Sequence, residues 1–343
     1  IYQTNTPFDV ELKQNQKIPP SFNRLTGEGN YWVFSHSNNA FARLTNRLLK
    51  QNSPVYWAPN GFAVDNQQFP TGTLVSRVSQ SQIDTGNLLK DIPISVLKIK
   101  KRPQLAWQKI HLPKIGLYQG YAEAIDEGWT RWILERFEFP YDSLNNQAIQ
   151  NNNLSYHDII VIPHQDPLEI MEGLKEPYPE LYQGGIGEKG LKQLKNFAES
   201  GGTLLFLGKS AQIPLTYWET GIKNATQDLS TEEFYIPGSL LRVNVNNRHP
   251  IGYGMPNEAA IFFKNDPIFQ LNNGLNLVRY NSENPLLSGW MTGEKHLYNR
   301  TALTEFSIGK GRAILIGFRT QFRAQARGTY KFLFNSLYYA TTK

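Results

Sequence analysis

The segment "KIGLYQGYAEAIDEGWTRWILERF" (residues 114–137) decides the fold class. It opens with a short apolar run, typical of a buried strand, and continues through a polar loop into residues with helical apolar spacing. The same order recurs along the chain. Apolar strands are predicted at 159–163, 203–208 and 313–318, and helices at 187–200 and 329–339. Strands that alternate with amphipathic helices predict an α/β fold whose parallel sheet is covered on both faces.

The chain before this segment predicts a smaller α/β domain at 31–105. Its apolar runs indicate strands at 31–35, 55–58, 72–78 and 94–99, and its helical spacings indicate helices at 41–49 and 81–89. Residues 1–30 are polar, with several prolines and glycines, which favours an extended arm. The large domain is predicted at 113–343, with a strand-rich insertion at about 220–310.

Composition excludes several classes of protein. Among the 343 residues, 40% are hydrophobic and 13% aromatic, so the chain can bury a core and global disorder is excluded. The absence of cysteine excludes disulfides, thiolate metal sites and cysteine nucleophiles. No apolar stretch reaches the roughly 18 residues that a membrane-spanning helix needs. The chain begins at Ile1 without a signal-peptide pattern, which suggests a fragment or a processed product.

Charge gives no sign of a nucleic-acid partner. The formal net charge is +6, which is mild for this length. One dense basic run, at 98–102, lies in the segment between the two predicted domains. Nucleic-acid binding would need a clustered basic face on a recognisable module, so no such partner is predicted.

The loop after the first strand of the large domain is the sharpest candidate site. Asp126, Glu127, Trp129 and Arg131 follow the strand at 115–118. Ligands of open α/β sheets bind at the carboxyl ends of the strands, so these side chains predict a polar pocket. The alternative is structural, because acidic residues also stabilise the first turn of a helix and the tryptophan fits helical core spacing.

A second candidate loop follows the late strand at 313–317. Arg319, Gln321, Arg323 and Gln325 gather long hydrogen-bond donors there. We expect this strand and the first one to lie in one parallel sheet, with their carboxyl ends at the same edge. The donors would then either bind a ligand or pair with the acidic residues of the first loop. Both interpretations stay open.

A glycine-rich turn gives a weaker signal. Gly185, Gly187 and Gly190 spell G-x-G-x-x-G, but a loop precedes them where a dinucleotide site requires a strand. What remains is a turn, beginning at Gly184, that opens a helix. Free N–H groups at a helix start attract anions, so Gly184 and Gly185 are candidate binding residues, although a simple turn explains them as well.

Ser210 is the candidate nucleophile. Gly208-Lys209-Ser210 follows the strand at 203–208 and resembles a nucleophile elbow that lacks its closing glycine. A serine needs a base within hydrogen-bond reach, and none of the six histidines sits in a second signature. The alternative role for Ser210 is a helix cap or a pocket wall.

No metal site is predicted within this chain. No histidine is followed three residues later by glutamate, and no two histidines share a helical face. His157 and His164 flank an apolar strand and are expected to face loops.

Long segments of the chain resemble the C-terminal half of bacterial zinc carboxypeptidase-like proteins of the carboxypeptidase A superfamily. They are "PKIGLYQGYAEAIDEGWTRWILERFEFPY" (113–141), "LYQGGIGEKGLKQLKNFAESGGTLLFLG" (181–208), "FYIPGSLLRVNVNNRHPIGYGMP" (234–256) and "GKGRAILIGFRTQFRAQARGTYKFLFNSLYY" (309–339). The segment "NNAFARLTNRLLKQNSPVYWA" (38–58) resembles the linker domain of those proteins.

This resemblance implies a flavodoxin-like, class I glutamine-amidotransferase-like domain. It also implies that zinc binds only in an N-terminal peptidase domain, whose motifs this chain lacks. Amidotransferases of this class use a cysteine at the elbow and a histidine after a late strand. Ser210 occupies the approximate cysteine position and Arg319 or Gln321 the histidine position, so amidotransferase chemistry is not expected.

The sequence therefore predicts a non-catalytic, amidotransferase-like accessory or binding region of a periplasmic or secreted zinc metallocarboxypeptidase-like protein. The expected partner is the protein's own peptidase domain, or a peptide or cell-wall substrate, and no cofactor is expected in this chain. Two alternatives are a serine hydrolase that uses Ser210 and a carbohydrate or cell-wall binding module, which the many tryptophans and tyrosines suggest.

Overall fold

The computed structural model describes residues 24–64, 66–79, 85–151 and 154–342. The first part of the chain forms a six-stranded sheet with two helices. Its elements are β1 (Arg24–Gly27), β2 (Tyr31–Phe34), α1 (Ala40–Lys50), β3 (Val55–Trp57), β4 (Phe62–Val64), β5 (Gln67–Phe69), β6 (Leu74–Arg77), α2 (Thr85–Leu89), β7 (Ser95–Ile99) and β8 (Gln108–Ile110).

The small sheet extends beyond the predicted domain at both ends. Its strand order is β1-β7-β2-β6-β3-β8, and β4 and β5 form a separate hairpin. Strand β1 lies in the predicted arm, whose residues 1–23 are outside the described part of the chain. Strand β8 lies in the predicted linker, and Ile110 pairs with Val55 of β3 and is fully buried. The small unit therefore continues to residue 110.

The large unit follows. Its elements are β9 (Ile115–Tyr118), α3 (Ile125–Arg136), β10 (Tyr141–Leu144), α4 (Asn146–Gln150), β11 (Ile159–Ile162), α5 (Pro167–Glu172), α6 (Gly187–Glu199), β12 (Thr203–Leu207), α7 (Gln212–Tyr217), β13 (Ile222–Asn224), β14 (Ser239–Val245), β15 (Glu258–Phe263), β16 (Phe269–Leu271), β17 (Leu275–Tyr280), β18 (Leu286–Ser288), β19 (Thr301–Ile308), β20 (Gly311–Ile316) and α8 (Tyr330–Tyr339).

Five parallel strands form the centre of this unit, in the order β10-β9-β11-β12-β20. The first and last strands that the sequence predicted for one parallel sheet, β9 and β20, do lie in it. All five carboxyl ends therefore meet at one edge. The chain moves from β9 outward to β10 and then returns to the other side of β9 as β11, so the order reverses between β9 and β11.

The predicted strand-rich insertion is antiparallel, and it extends the same sheet. Strand β19 pairs antiparallel with β20, and β17, β14 and β15 follow outward. The large unit is thus an α/β domain with a mixed sheet, whose parallel half carries the helices.

Alternate strand residues divide the large unit into two cores. One core contains β9 residues Ile115 and Leu117 with α3, α8 and the interior of the small sheet. The other contains α4 and α6 against the opposite sheet face, including Ile160 and Leu204. The last helix joins the two units, because the Tyr338 hydroxyl contacts Asn46 of α1 at 2.8 Å. Within the described residues, no helix is long and apolar enough to cross a membrane.

Candidate functional site at the carboxyl edge of the sheet

Four ionisable side chains meet at the carboxyl edge of the parallel strands. Asp126 follows β9, His164 follows β11 and Arg319 follows β20. Asp266 comes from the loop between β15 and β16 and completes the cluster. The cluster lies at the reversal of strand order, which is where open α/β sheets bind ligands.

Arg319 is the centre of this cluster. Its guanidinium donates to Asp126 Oδ2 at 2.9 Å, and its second terminal nitrogen lies 2.6 Å from Nε2 of His164. Its Nε lies 3.5 Å from Asp266 Oδ2. The Asp126 and Arg319 side chains are only 12% and 10% exposed. This is a nearly desolvated ion pair, which depends on its partners far more than a surface pair does.

Both ring nitrogens of His164 have a neighbour in the cluster or in the turn after β12. Nε2 faces a guanidinium, which can only donate. The Lys209 backbone N–H donates to Nδ1 at 3.0 Å, and Asp266 Oδ1 lies 3.1 Å from the same nitrogen. N–H donors therefore face both ring nitrogens of His164, which leaves the imidazole unavailable as a general base in this arrangement.

A second hydrogen bond joins the two predicted loops. Gln321 Nε2 donates to Thr130 Oγ1 at 2.7 Å, and the Thr130 hydroxyl donates to the Asp126 carbonyl at 2.6 Å. Together with the Asp126–Arg319 pair, this contact fixes the loop after β9 to the loop after β20. The pairing of acidic and basic loops that the sequence left open is present in the structure.

Glu127 and Arg131 pair with each other. Arg131 contacts Glu127 Oε2 at 2.6 Å, one helical turn along α3. That hydrogen bond raises the pKa of Arg131. Trp129 lies beside Trp132 on the same helix with its ring half-buried, at a centroid distance of 6.3 Å. These residues build α3 and stand apart from the Arg319 cluster.

The remaining predicted binding residues are dispersed. Arg323 and Gln325 are exposed, and the Arg323 guanidinium lies over the Phe322 ring. The carbonyl groups of Gly184 and Gly185 accept hydrogen bonds from Asn146 and Gln150 of α4, so this turn anchors the start of α6. Among the described residues, no hydrogen bond or ion pair joins either pair to the cluster.

Ser210 is fully buried. Its hydroxyl lies 3.0 Å from the Ile162 carbonyl and 2.9 Å from the Leu207 carbonyl, and it accepts from the Leu207 N–H at 3.1 Å. These backbone contacts tie the turn after β12 to the end of β11. They agree with the structural role weighed for Ser210 and give its hydroxyl no histidine partner.

The sequence placed Ser210 at the nucleophile position of the elbow, but Gly208 is the first residue after β12 and stands where an elbow nucleophile would. Its φ is +57°, a left-handed conformation that favours glycine. A Cβ built there would lie 2.2 Å from His164 Nδ1 and 3.0 Å from Asp266 Oδ1. The space in which an elbow side chain would stand is therefore filled by the cluster.

Sequence reasoning missed three parts of this site. His164 carried a usable signal, because it follows a buried strand at its carboxyl end. Gly208 was noted only as part of the serine motif. Asp266 carried no local signal, since it reaches the cluster through the antiparallel half of the sheet.

Among the described residues, no group of three or more histidine, aspartate or glutamate side chains is arranged to hold a metal ion.

No protein-family profile and no curated protein matches this sequence. Solved structures similar to this chain include a ThuA-like protein from Bacteroides uniformis, at 13% identity and a TM-score of 0.41 over 66% of this chain and 90% of that one. A cytoplasmic protein from Salmonella typhimurium is 13% identical, with a TM-score of 0.42 over 68% and 100%. A glutamine amidotransferase from Thermotoga maritima is 13% identical, with a TM-score of 0.37 over 65% and 81%.

These identities and TM-scores are low, so the fold description rests on the strand order of the chain itself. None of these three structures is described as a carboxypeptidase. The carboxypeptidase relationship stays a prediction from the sequence, as does the periplasmic or secreted location.

Proposed function

We propose that this chain is a non-catalytic binding region with a flavodoxin-like, class I glutamine-amidotransferase-like fold. Numbered along the chain, the five parallel strands have the order 2-1-3-4-5, which is that of flavodoxin-like sheets. In this interpretation the region assists a zinc carboxypeptidase-like domain elsewhere in a longer protein and binds its peptide substrate.

The observation that carries the proposal is that the turn after β12 has no room for a nucleophilic side chain. A nucleophile in such a fold stands at the turn after the strand, where backbone amides can stabilise an oxyanion. Here the turn begins with Gly208, and His164 and Asp266 occupy the space of the missing side chain. The hydroxyl of Ser210, two residues further along, is engaged by the backbone. Arg319 contacts both Asp126 and His164, and Gln321 bonds to Thr130, so these contacts hold the loops together as a rigid support.

Exposed apolar side chains on these loops support a binding role. Ile125 at the start of α3, Leu168 in α5 and Tyr182 before α6 are 62%, 60% and 45% exposed. The Tyr182 ring also contacts that of Tyr121, which follows β9, at 5.3 Å. Apolar side chains grouped around one edge are typical of sites that contact a peptide or protein.

Catalysis is tested with the purified chain. We expect hydrolysis of L-glutamine and of p-nitrophenyl acetate at the rate of buffer alone, for the wild type and for Ser210→Ala. Turnover by the wild type that Ser210→Ala abolishes would support the serine hydrolase and overturn the proposal.

Binding is tested by titration calorimetry with tripeptides that carry a free carboxylate, and with a chitin oligosaccharide as the competing probe. We expect peptide binding that Leu168→Ser and Tyr182→Ser each weaken about tenfold, roughly the 1.4 kcal/mol of one buried apolar contact. Leu275→Ser is the matched control, because Leu275 is 52% exposed on β17. Oligosaccharide binding without peptide binding would favour the carbohydrate module instead.

A further inference from the structure

A cavity of about 550 Å³ lies where the small sheet meets the large unit, away from the Arg319 cluster. Its lining comes from the loops after β2 and before β6, from the loops on either side of the short turn at 250–252, and from α8. The residues that the argument uses are Ser35, His36, Ser37, Thr71, Arg248 and Lys331. This volume falls in the range of about 300–1,000 Å³ that small-molecule sites occupy.

Lys331 is the unusual member of this lining. The residue is only 8% exposed, and its Nζ donates to the Ser37 carbonyl at 3.2 Å. An ammonium group has three donors, so two remain for another partner. Among the described residues, no carboxylate lies within ion-pair distance of Lys331. Burial lowers the pKa of this lysine, which shows the cost of removing its charge from water.

The other ionisable groups that line the cavity add no negative charge. Arg248 is exposed at its rim. His36 is fully buried, and its two ring nitrogens face the Gly72 carbonyl and Asn335 Oδ1. Burial, and to a smaller extent the charge of Lys331, lower the pKa of His36 to about 4, although its two hydrogen bonds raise it. Within the described part of the chain, the lining contains no aspartate or glutamate.

A buried cation without a counter-charge is unfavourable unless something else neutralises it. The cavity places such a cation beside an arginine and the hydroxyl-bearing residues Ser35 and Thr71. We propose that it binds a small anionic ligand through a carboxylate or phosphate group, with the charge of Lys331 as the main contact and Arg248 at the entrance. This site does not depend on the binding function proposed for the carboxyl edge.

The test is thermal unfolding in sodium phosphate and in sodium succinate, each compared with sodium chloride at equal ionic strength. A ligand that binds only the folded state raises the midpoint in a saturable way. We expect saturable stabilisation of the wild type by at least one of the two anions. Phosphate alone would indicate a phosphate-bearing ligand, and succinate alone a carboxylate. No saturable effect from either anion would overturn the proposal.

Two variants assign the effect to this cavity. Lys331→Met should lose the anion response and remain at least as stable as the wild type in chloride. Lys192→Met, on the exposed face of α6, should keep the full response. If Lys331→Met does not fold, Arg248→Gln decides: it should weaken the anion's affinity several-fold and leave the midpoint in chloride unchanged. An unchanged affinity in Lys331→Met, or in Arg248→Gln in that case, would contradict the proposal.

Discussion

The Cβ atom that Gly208 lacks would lie 2.2 Å from Nδ1 of His164. The turn after β12 therefore packs so closely against His164, in the loop after β11, that only a glycine fits at position 208. This relationship connects the backbone of the elbow to the charges at the sheet edge, because the same histidine contacts Asp266 and Arg319. A substitution at Gly208 should therefore disturb the contacts that His164 makes with Asp266 and Arg319.

Replacing Gly208 by alanine should be strongly destabilising. The left-handed conformation costs a non-glycine residue about 1–2 kcal/mol, and overpacking adds about 1–3 kcal/mol. Gly187→Ala is the matched control, because Gly187 has φ +56° and its Cβ would meet nothing within 4 Å. Urea unfolding should show a larger loss for Gly208→Ala than for Gly187→Ala. Equal losses would mean that His164 moves aside without cost.

The Asp126–Arg319 pair should show strong energetic coupling. Arg319→Met leaves two buried carboxylates without their cation, and we expect a loss of about 3–5 kcal/mol in the free energy of unfolding. Asp126→Asn should cost about 1–3 kcal/mol. The double variant should cost less than the sum, since each single change already breaks the pair.

Arg323→Met provides the control for this cycle. Arg323 lies on the same loop as Arg319 but is exposed, so its replacement should change stability by no more than about 0.5 kcal/mol. Strict additivity between Asp126→Asn and Arg319→Met would show that the contact is energetically unimportant.

Glu138 should make the junction between the two units sensitive to acid. Burial alone would raise its pKa, but hydrogen bonds and charges from Arg47 and Arg43 of α1 outweigh burial and hold the pKa below its ordinary value of 4.5. A lowered pKa means that the stabilisation is present above pH 4.5 and is lost as the pH falls through the folded-state value.

Glu138→Gln measures this contribution. Near neutral pH the wild type should be more stable than the variant by about 1–3 kcal/mol, and the difference should shrink toward zero in strong acid. Chemical unfolding at a series of pH values gives both curves. Glu172→Gln is the control, because its pair with Lys175 is exposed and should contribute little at any pH. A pH-independent difference between wild type and Glu138→Gln would contradict the assignment.

Tyr338→Phe should weaken the attachment of α8 to the small unit. The buried Tyr338 hydroxyl donates to Asn46 Oδ1 at 2.8 Å, with the Ala42 carbonyl at 3.1 Å, so its removal leaves the buried Asn46 oxygen without this partner. We expect a loss of about 1–3 kcal/mol with one unfolding transition retained. Tyr298→Phe, whose hydroxyl bonds to Glu294 on the surface, should be nearly neutral. Calorimetry distinguishes a lower single midpoint from two separate transitions.

Much of the architecture was predictable because its signals are local. The buried strands β9, β11, β12 and β20 are continuous apolar runs, and each was predicted to within about two residues. Strand β10, with the sequence "YDSL", has exposed polar positions at an edge of the sheet and gave no such signal. Strand β8 was hidden in a basic linker, because its place is fixed by pairing with β3, more than fifty residues earlier.

The candidate site was predictable only in part, for the same reason. Asp126 and Arg319 each follow a recognisable strand, so their meeting follows from the rule that parallel strands end at one edge. Asp266 joins them from a segment whose direction is set by antiparallel pairing within the insertion. A side chain that is positioned by long-range strand pairing leaves no recognisable pattern in the residues next to it in the sequence.

The position of α8 has a consequence for synthesis on the ribosome. The side chain of Tyr338 packs against a helix made 292 residues earlier, and Asn335 contacts His36 across 299 positions. The small unit is therefore translated first but is left without part of its core until the end of the large unit emerges. During that interval the apolar face of α1 lacks its final partner, so a nascent chain of this protein should engage chaperones through α1.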